Sequence, residues 1–99
     1  MESKILSNLL QYIKDDDLKK KILSLSSDEV KVLEYFIQNI SVGSLIALRE
    51  LRFMYKVSDP KFVIRKLVEK GLLEQGYGCY SLSKTLREVL YNIIVSSRK

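Results

Sequence analysis

A mainly α-helical chain with one small β-hairpin is the fold class this sequence predicts, and three observations carry that reading. Apolar residues recur at three- and four-residue spacing through most of the length, the period of helix faces packed on a core. The segment from Pro60 to Lys70 has its own start and stop. Asp59 can cap its first turn, Pro60 suits the first helical position, where an N–H is not needed, and Gly71 can take the left-handed conformation that ends a helix. Two short runs, Leu72 to Glu74 and Cys79 to Leu82, then flank Gln75-Gly76-Tyr77-Gly78, whose glycines suit a tight hairpin. Helix, glycine stop and ribbon in that order are half of a winged helix-turn-helix.

The remaining elements follow from the same signals. From Glu2 to Ile13, the residues Ile5, Leu6, Leu9, Leu10 and Ile13 keep helical spacing, and the polar break from Lys14 to Asp17 leads into a second helix. Asp16 or Asp17 stands near its start, where negative charge suits the helix dipole, and Leu18, Ile22 and Leu25 share one side. Ser26 with Glu29 three residues on is a capping box for a third helix, whose face is Val30, Leu33, Phe36, Ile37 and Ile40. Ser41 to Gly43 reads as a turn and Ser44 to Ile46 as a short first strand. A helix from Ala47 to Tyr55 follows, with Leu48, Leu51 and Tyr55 inward and Arg49, Glu50 and Phe53 outward. After a turn over Lys56 to Ser58, the helix from Pro60 buries Val63, Ile64, Leu67 and Val68 and leaves Lys61, Phe62, Arg65, Lys66 and Glu69 outside. In the hairpin, alternation puts Tyr80 and Leu82 on one face and Cys79 and Ser81 on the other. Ser83 caps a last helix carrying Leu86, Val89, Leu90, Ile93 and Ile94.

These elements make one domain over residues 1–99, since 99 residues at 46% hydrophobic content suffice for a single core. N-terminal helices occupy 1–26, the winged-helix core 27–83 and the C-terminal helix 84–99. No apolar run is long enough to cross a membrane and no secretory pattern opens the chain, which implies a soluble cytoplasmic protein without membrane partners. The lone Cys79 reads as strand packing, and the Asp15 to Asp17 triplet as a helix start rather than a cation site. There is no histidine and no phosphate-binding glycine loop, so Ser-His and Cys-His nucleophiles, zinc ligation and dinucleotide binding each lack a part. The expectation is a non-enzyme that needs no cofactor.

Net charge is +5, which mildly favours a polyanionic partner. Residues 27–83 are nearly balanced, with eight basic against seven acidic side chains, whereas from Lys84 onward four basic residues face Glu88 alone.

The run LVEKGLLE and the hairpin ending Tyr80-Ser81-Leu82 resemble small archaeal and bacterial winged helix-turn-helix proteins, the PadR-like and MarR-like transcription regulators, over about residues 27–83. The resemblance implies a recognition helix at 60–70, with Lys61, Phe62, Arg65 and Lys66 toward the major groove, Arg65 able to pair bidentately with a guanine edge and Lys66 with phosphates. It also implies backbone approach by Arg49, Arg52 and Lys56, a Tyr77 hydroxyl contact from the wing, and a homodimer formed through terminal helices, with Leu86, Val89 and Ile93 in the interface. On that reading the chain is a double-stranded DNA-binding transcriptional regulator. The wing tip has no Lys or Arg and the recognition helix starts late. Both features favour the alternative of an accessory subunit or adaptor docking on a replication or transcription assembly, for example an archaeal DNA polymerase holoenzyme. In that case Phe53 and Phe62 form an apolar patch for a larger protein.

Overall fold

Among the described residues of the computed structural model, six helices and three short strands follow one another as α1 (Lys4–Gln11), α2 (Asp16–Leu23), α3 (Ser27–Asn39), β1 (Ser41–Gly43), α4 (Ser44–Phe53), α5 (Pro60–Glu69), β2 (Leu73–Gly76), β3 (Cys79–Leu82) and α6 (Lys84–Ser97). Residues 4–97 are described, with side chains from Leu6 to Ser96. Glu2 and Ser3 of the expected first helix, the Ile5 side chain, and the tail residues Arg98 and Lys99 lie outside them. The mainly helical fold with a small antiparallel sheet is the one the sequence predicts.

Local chemistry sets most boundaries. Asp15, one residue earlier than expected, caps α2 by accepting from Asp17 N at 2.9 Å and Leu18 N at 3.4 Å. The α3 capping box is complete: Ser26 Oγ accepts from Glu29 N at 3.3 Å, and Glu29 Oε1 accepts from Ser26 N at 2.9 Å. Asp59 accepts from Phe62 N at 3.3 Å to open α5 over Pro60. At the other end, Gly71 sits at φ 79°, and the bonds Leu72 N to Leu67 O and Gly71 N to Val68 O close a Schellman motif. Ser83 Oγ accepts from Leu86 N at 3.3 Å and starts α6.

The sheet has strand order β1-β3-β2, all antiparallel. Here the structure corrects the sequence reading. Ser41 to Gly43 is the first strand, with Val42 opposite Tyr80, and Ser44 to Ile46 is the first turn of α4. Starting the helix at Ser44 places Ala47, Leu48 and Leu51 on one face, with Ala47 and Leu51 fully buried. The hairpin loop is tighter than expected: Gly76 pairs with Cys79, so Tyr77 and Gly78 alone make the turn. Of the two loop glycines only Gly78, at φ 65°, needs left-handed backbone.

One core runs through the fold. Leu33, Phe36, Leu51, Ile64, Leu67, Leu72, Leu82 and Leu86 are buried together, α1 adds Leu6 and Leu9 by packing on α3 and α6, and Ile13 is buried in the connection that follows α1. Tyr80 and Leu82 point inward, and Cys79 and Ser81 are half-buried on the other face, as alternation requires. Val57, in the turn between α4 and α5, is also fully buried, its N–H donating to Leu51 O at 3.0 Å. That valine pins the helix-turn-helix angle. Val68 is half-buried rather than in the core. Among the described residues no helix is long and apolar enough to cross a membrane.

Candidate interaction surface on the helix-turn-helix

The orientation of α4 is fixed from inside. Tyr35 of α3 stacks edge-on against Phe36 at 5.1 Å and Tyr55 at 5.5 Å, and Phe36 meets Tyr80 of β3 at 6.5 Å. The Tyr35 hydroxyl donates to Glu50 Oε1 on α4. Burial, then that hydrogen bond and the charge of Glu50, push the Tyr35 phenol far above its ordinary pKa, so the hydroxyl stays protonated and remains a donor. Glu50 is therefore turned toward α3, and the expectation that it points outward is corrected. Tyr35 is buried, so a carboxylate on the packed neighbour satisfies a hydroxyl that solvent does not reach.

With Glu50 turned in, the outward face of α4 consists of Leu45, Ile46, Arg49, Arg52 and Phe53, continued by exposed Met54 at the helix end. Leu45, Ile46, Arg49, Arg52 and Phe53 form one contiguous arc opposite Ala47 and Leu51. The face carries two guanidinium groups and no carboxylate. Leu45, Ile46 and Met54 were absent from the sequence-based candidates because the first two fell inside the expected strand. Had the helix been started at Ser44, the spacing of Ala47 and Leu51 would have exposed a second apolar stripe behind them.

The outward face of α5 carries Lys61, Phe62, Arg65, Lys66 and Glu69, all exposed, as the sequence predicts. Lys61 and Arg65 stand one turn apart and, with Ile64, Gln75 and Tyr80, line a small groove between α5 and the hairpin. Phe62 lies under the Lys66 ammonium, 5.1 Å from ring centroid to Nζ. Phe53 and Phe62 are both exposed, and among the described residues no ring contact joins them. Lys56 is exposed in the turn at φ 58°, and Tyr77 is fully exposed at the hairpin tip.

Charge is concentrated here. From Ser44 to Glu69 there are six basic side chains and three acidic ones, and two of the acids are engaged, Glu50 by Tyr35 and Asp59 by the α5 N-terminus. The described ion pairs lie elsewhere. Lys70 Nζ meets Glu29 Oε2 at 2.8 Å, and Arg87 meets Glu74 at 3.3 Å while Glu74 also accepts from Lys84 N at 2.8 Å. Thus Arg49, Arg52, Lys61 and Arg65 make no ion pair among the described residues.

The terminal helices use their apolar stripes internally. Leu86 is completely buried in its own chain, so its expected place in a partner interface is corrected: α1 and α6 pack on the core and consume that side chain. Val89 and Ile93 are half-buried against the same core. The exposed apolar remainder of α6 is Tyr91, Ile94 and Val95.

The model of the family described as PolB1 Binding Protein 2 matches residues 26–88, from the α3 capping box through the first turn of α6. The chain belongs to that family. The match covers the whole helix-turn-helix and hairpin, the part of the molecule that carries the α4 and α5 faces. It lends no support to a transcription regulator. No curated protein sequence matches the chain.

Proposed function

We propose that this protein is a non-enzymatic accessory subunit that docks on the DNA polymerase PolB1. The observation that carries the reading is the family match over the winged-helix core. The surface supports it, because Leu45, Ile46 and Phe53 are exposed together on one face of α4, and a contiguous exposed apolar patch marks a partner site where singly scattered apolar residues do not. The test is co-migration: purified chain and the same organism's PolB1 should elute together in size-exclusion chromatography and give a saturable binding curve. Separate elution at micromolar concentrations of both would defeat the reading.

A second reading is favoured by one observation, the Lys61 and Arg65 pair lining the groove beside the hairpin. Two cations that make no ion pair among the described residues, held one turn apart, suit a phosphate backbone, so α5 would contact duplex DNA with little sequence preference. Duplex affinity that falls steeply with salt and is lost in Lys61→Ala with Arg65→Ala supports it. Absence of duplex binding at low salt removes it.

A further inference from the structure

We infer that the outward face of α4 is the polymerase-docking surface, and that it takes an apolar segment flanked by carboxylates. This rests on the accessory-subunit reading above and adds the surface and the chemistry of its partner.

The helix is apolar on two sides. Ala47 and Leu51 bury one face at 0% exposure, whereas Leu45, Ile46 and Phe53 on the opposite arc are 80%, 57% and 66% exposed. A surface helix in a monomeric domain carries polar residues opposite its core stripe, and a helix apolar all round is ordinarily buried all round. The second stripe of α4 thus lacks a cover among the described residues. Such a face, with one large aromatic, aliphatic neighbours and arginines, has the composition of an interface centre.

Charge selects the occupant. Arg49 and Arg52 stand within the stripe, no carboxylate shares it, and the one acid on the helix, Glu50, is held by Tyr35. A second copy meeting this face through a two-fold axis would bring Arg49 and Arg52 of both chains together without a counter-charge, which disfavours self-association. Nucleic acid would match the arginines but would leave three large apolar side chains against phosphate and sugar. The α5 face, with Lys61, Arg65 and Lys66, is the better polyanion surface. A protein segment with apolar side chains between Asp or Glu residues satisfies both halves of the face.

The experiment titrates the full chain against the intact polymerase and reads Kd. Phe53→Ala should weaken binding about thirty-fold, as loss of a central aromatic anchor does. Leu45→Ser with Ile46→Ser should weaken it roughly ten-fold or more on the same grounds. Arg49→Glu with Arg52→Glu should weaken it by a similar factor and flatten the salt dependence of the wild type. All these side chains are exposed, so unchanged thermal midpoints establish that the variants remain folded. Lys61→Ala with Arg65→Ala on α5 should bind as wild type does. Wild-type binding with every α4 variant unaffected overturns the surface assignment and leaves the accessory reading standing. Failure of the wild type to bind overturns both. A dimeric mass for the wild type that becomes monomeric in Phe53→Ala assigns the face to a second copy and overturns the proposal.

Discussion

Replacing Glu29 by Gln isolates the interaction that ties the start of α3 to the end of α5. One carboxylate oxygen accepts from Ser26 N and the other from Lys70 Nζ at 2.8 Å. Gln keeps the size and can retain the capping bond, since Gln serves in capping boxes as Glu does, so the substitution removes chiefly the charge seen by Lys70. The Glu29 side chain is 9% exposed and that of Lys70 35%. The pair therefore lies between a surface ion pair, worth up to about 1 kcal/mol, and a buried one, whose breaking costs roughly 3–5 kcal/mol. After discounting for screening at Lys70, about 1–2 kcal/mol is expected, a fall in thermal midpoint of roughly 4–16 °C for a domain of this size. The pH dependence supplies the decisive arm. Burial alone would raise the Glu29 pKa, but the Lys70 hydrogen bond, the Ser26 bonds and the Lys70 charge together hold it below the ordinary carboxylate value. Its contribution is full above the unfolded-state pKa and is lost as pH falls through the lower folded-state one. Urea denaturation should show the wild type ahead of Glu29→Gln at about pH 7, with a smaller gap at acidic pH, as protonated Glu29 comes to resemble Gln. A gap of equal size at both pH values, or none at either, would refute the assignment.

Three other outcomes follow from the fold. Gly71→Ala should lose about 1–2 kcal/mol in denaturant titration, because a side chain at φ 79° is strained even though an added Cβ meets nothing within 4 Å. Leu86→Ala should cost roughly 2–5 kcal/mol as a core truncation and leave the mass by light scattering unchanged, whereas an interface role would lower the mass with little loss of stability. Ser83→Ala, by removing the hydroxyl that accepts from Leu86 N, should cost about 1 kcal/mol of thermal stability with no effect on PolB1 affinity.

Much of this fold was legible in the chain because its signals are local. The Ser26-Glu29 box, Asp59-Pro60, Gly71 and Ser83 each act within a few residues, and each acts as its chemistry predicts. The α5 face was legible for the same reason: helical period and two boundaries fix which residues stand outside. Legibility failed between Ile40 and Ala47. Val42 becomes a strand only because Tyr80, thirty-eight residues later, lies opposite it, and nothing near Val42 announces that pairing. Misplacing that strand by three residues concealed the first turn of α4 and with it Leu45 and Ile46. The glycines of the hairpin were read as equivalent, yet the register spends Gly76 on a strand pair and Gly78 on the turn.

The sequence by itself determined the helical class, the winged order of its parts, the caps, and the cations Lys61, Arg65 and Lys66 on α5, since backbone hydrogen bonding and helical period are short-range properties. Tertiary structure alone decided that Glu50 turns inward to Tyr35, that Leu86 is consumed by its own core, and that α4 presents an apolar, acid-free face to the outside. Those outcomes depend on which surfaces meet, and which neighbour a given face meets is decided only in the assembled chain.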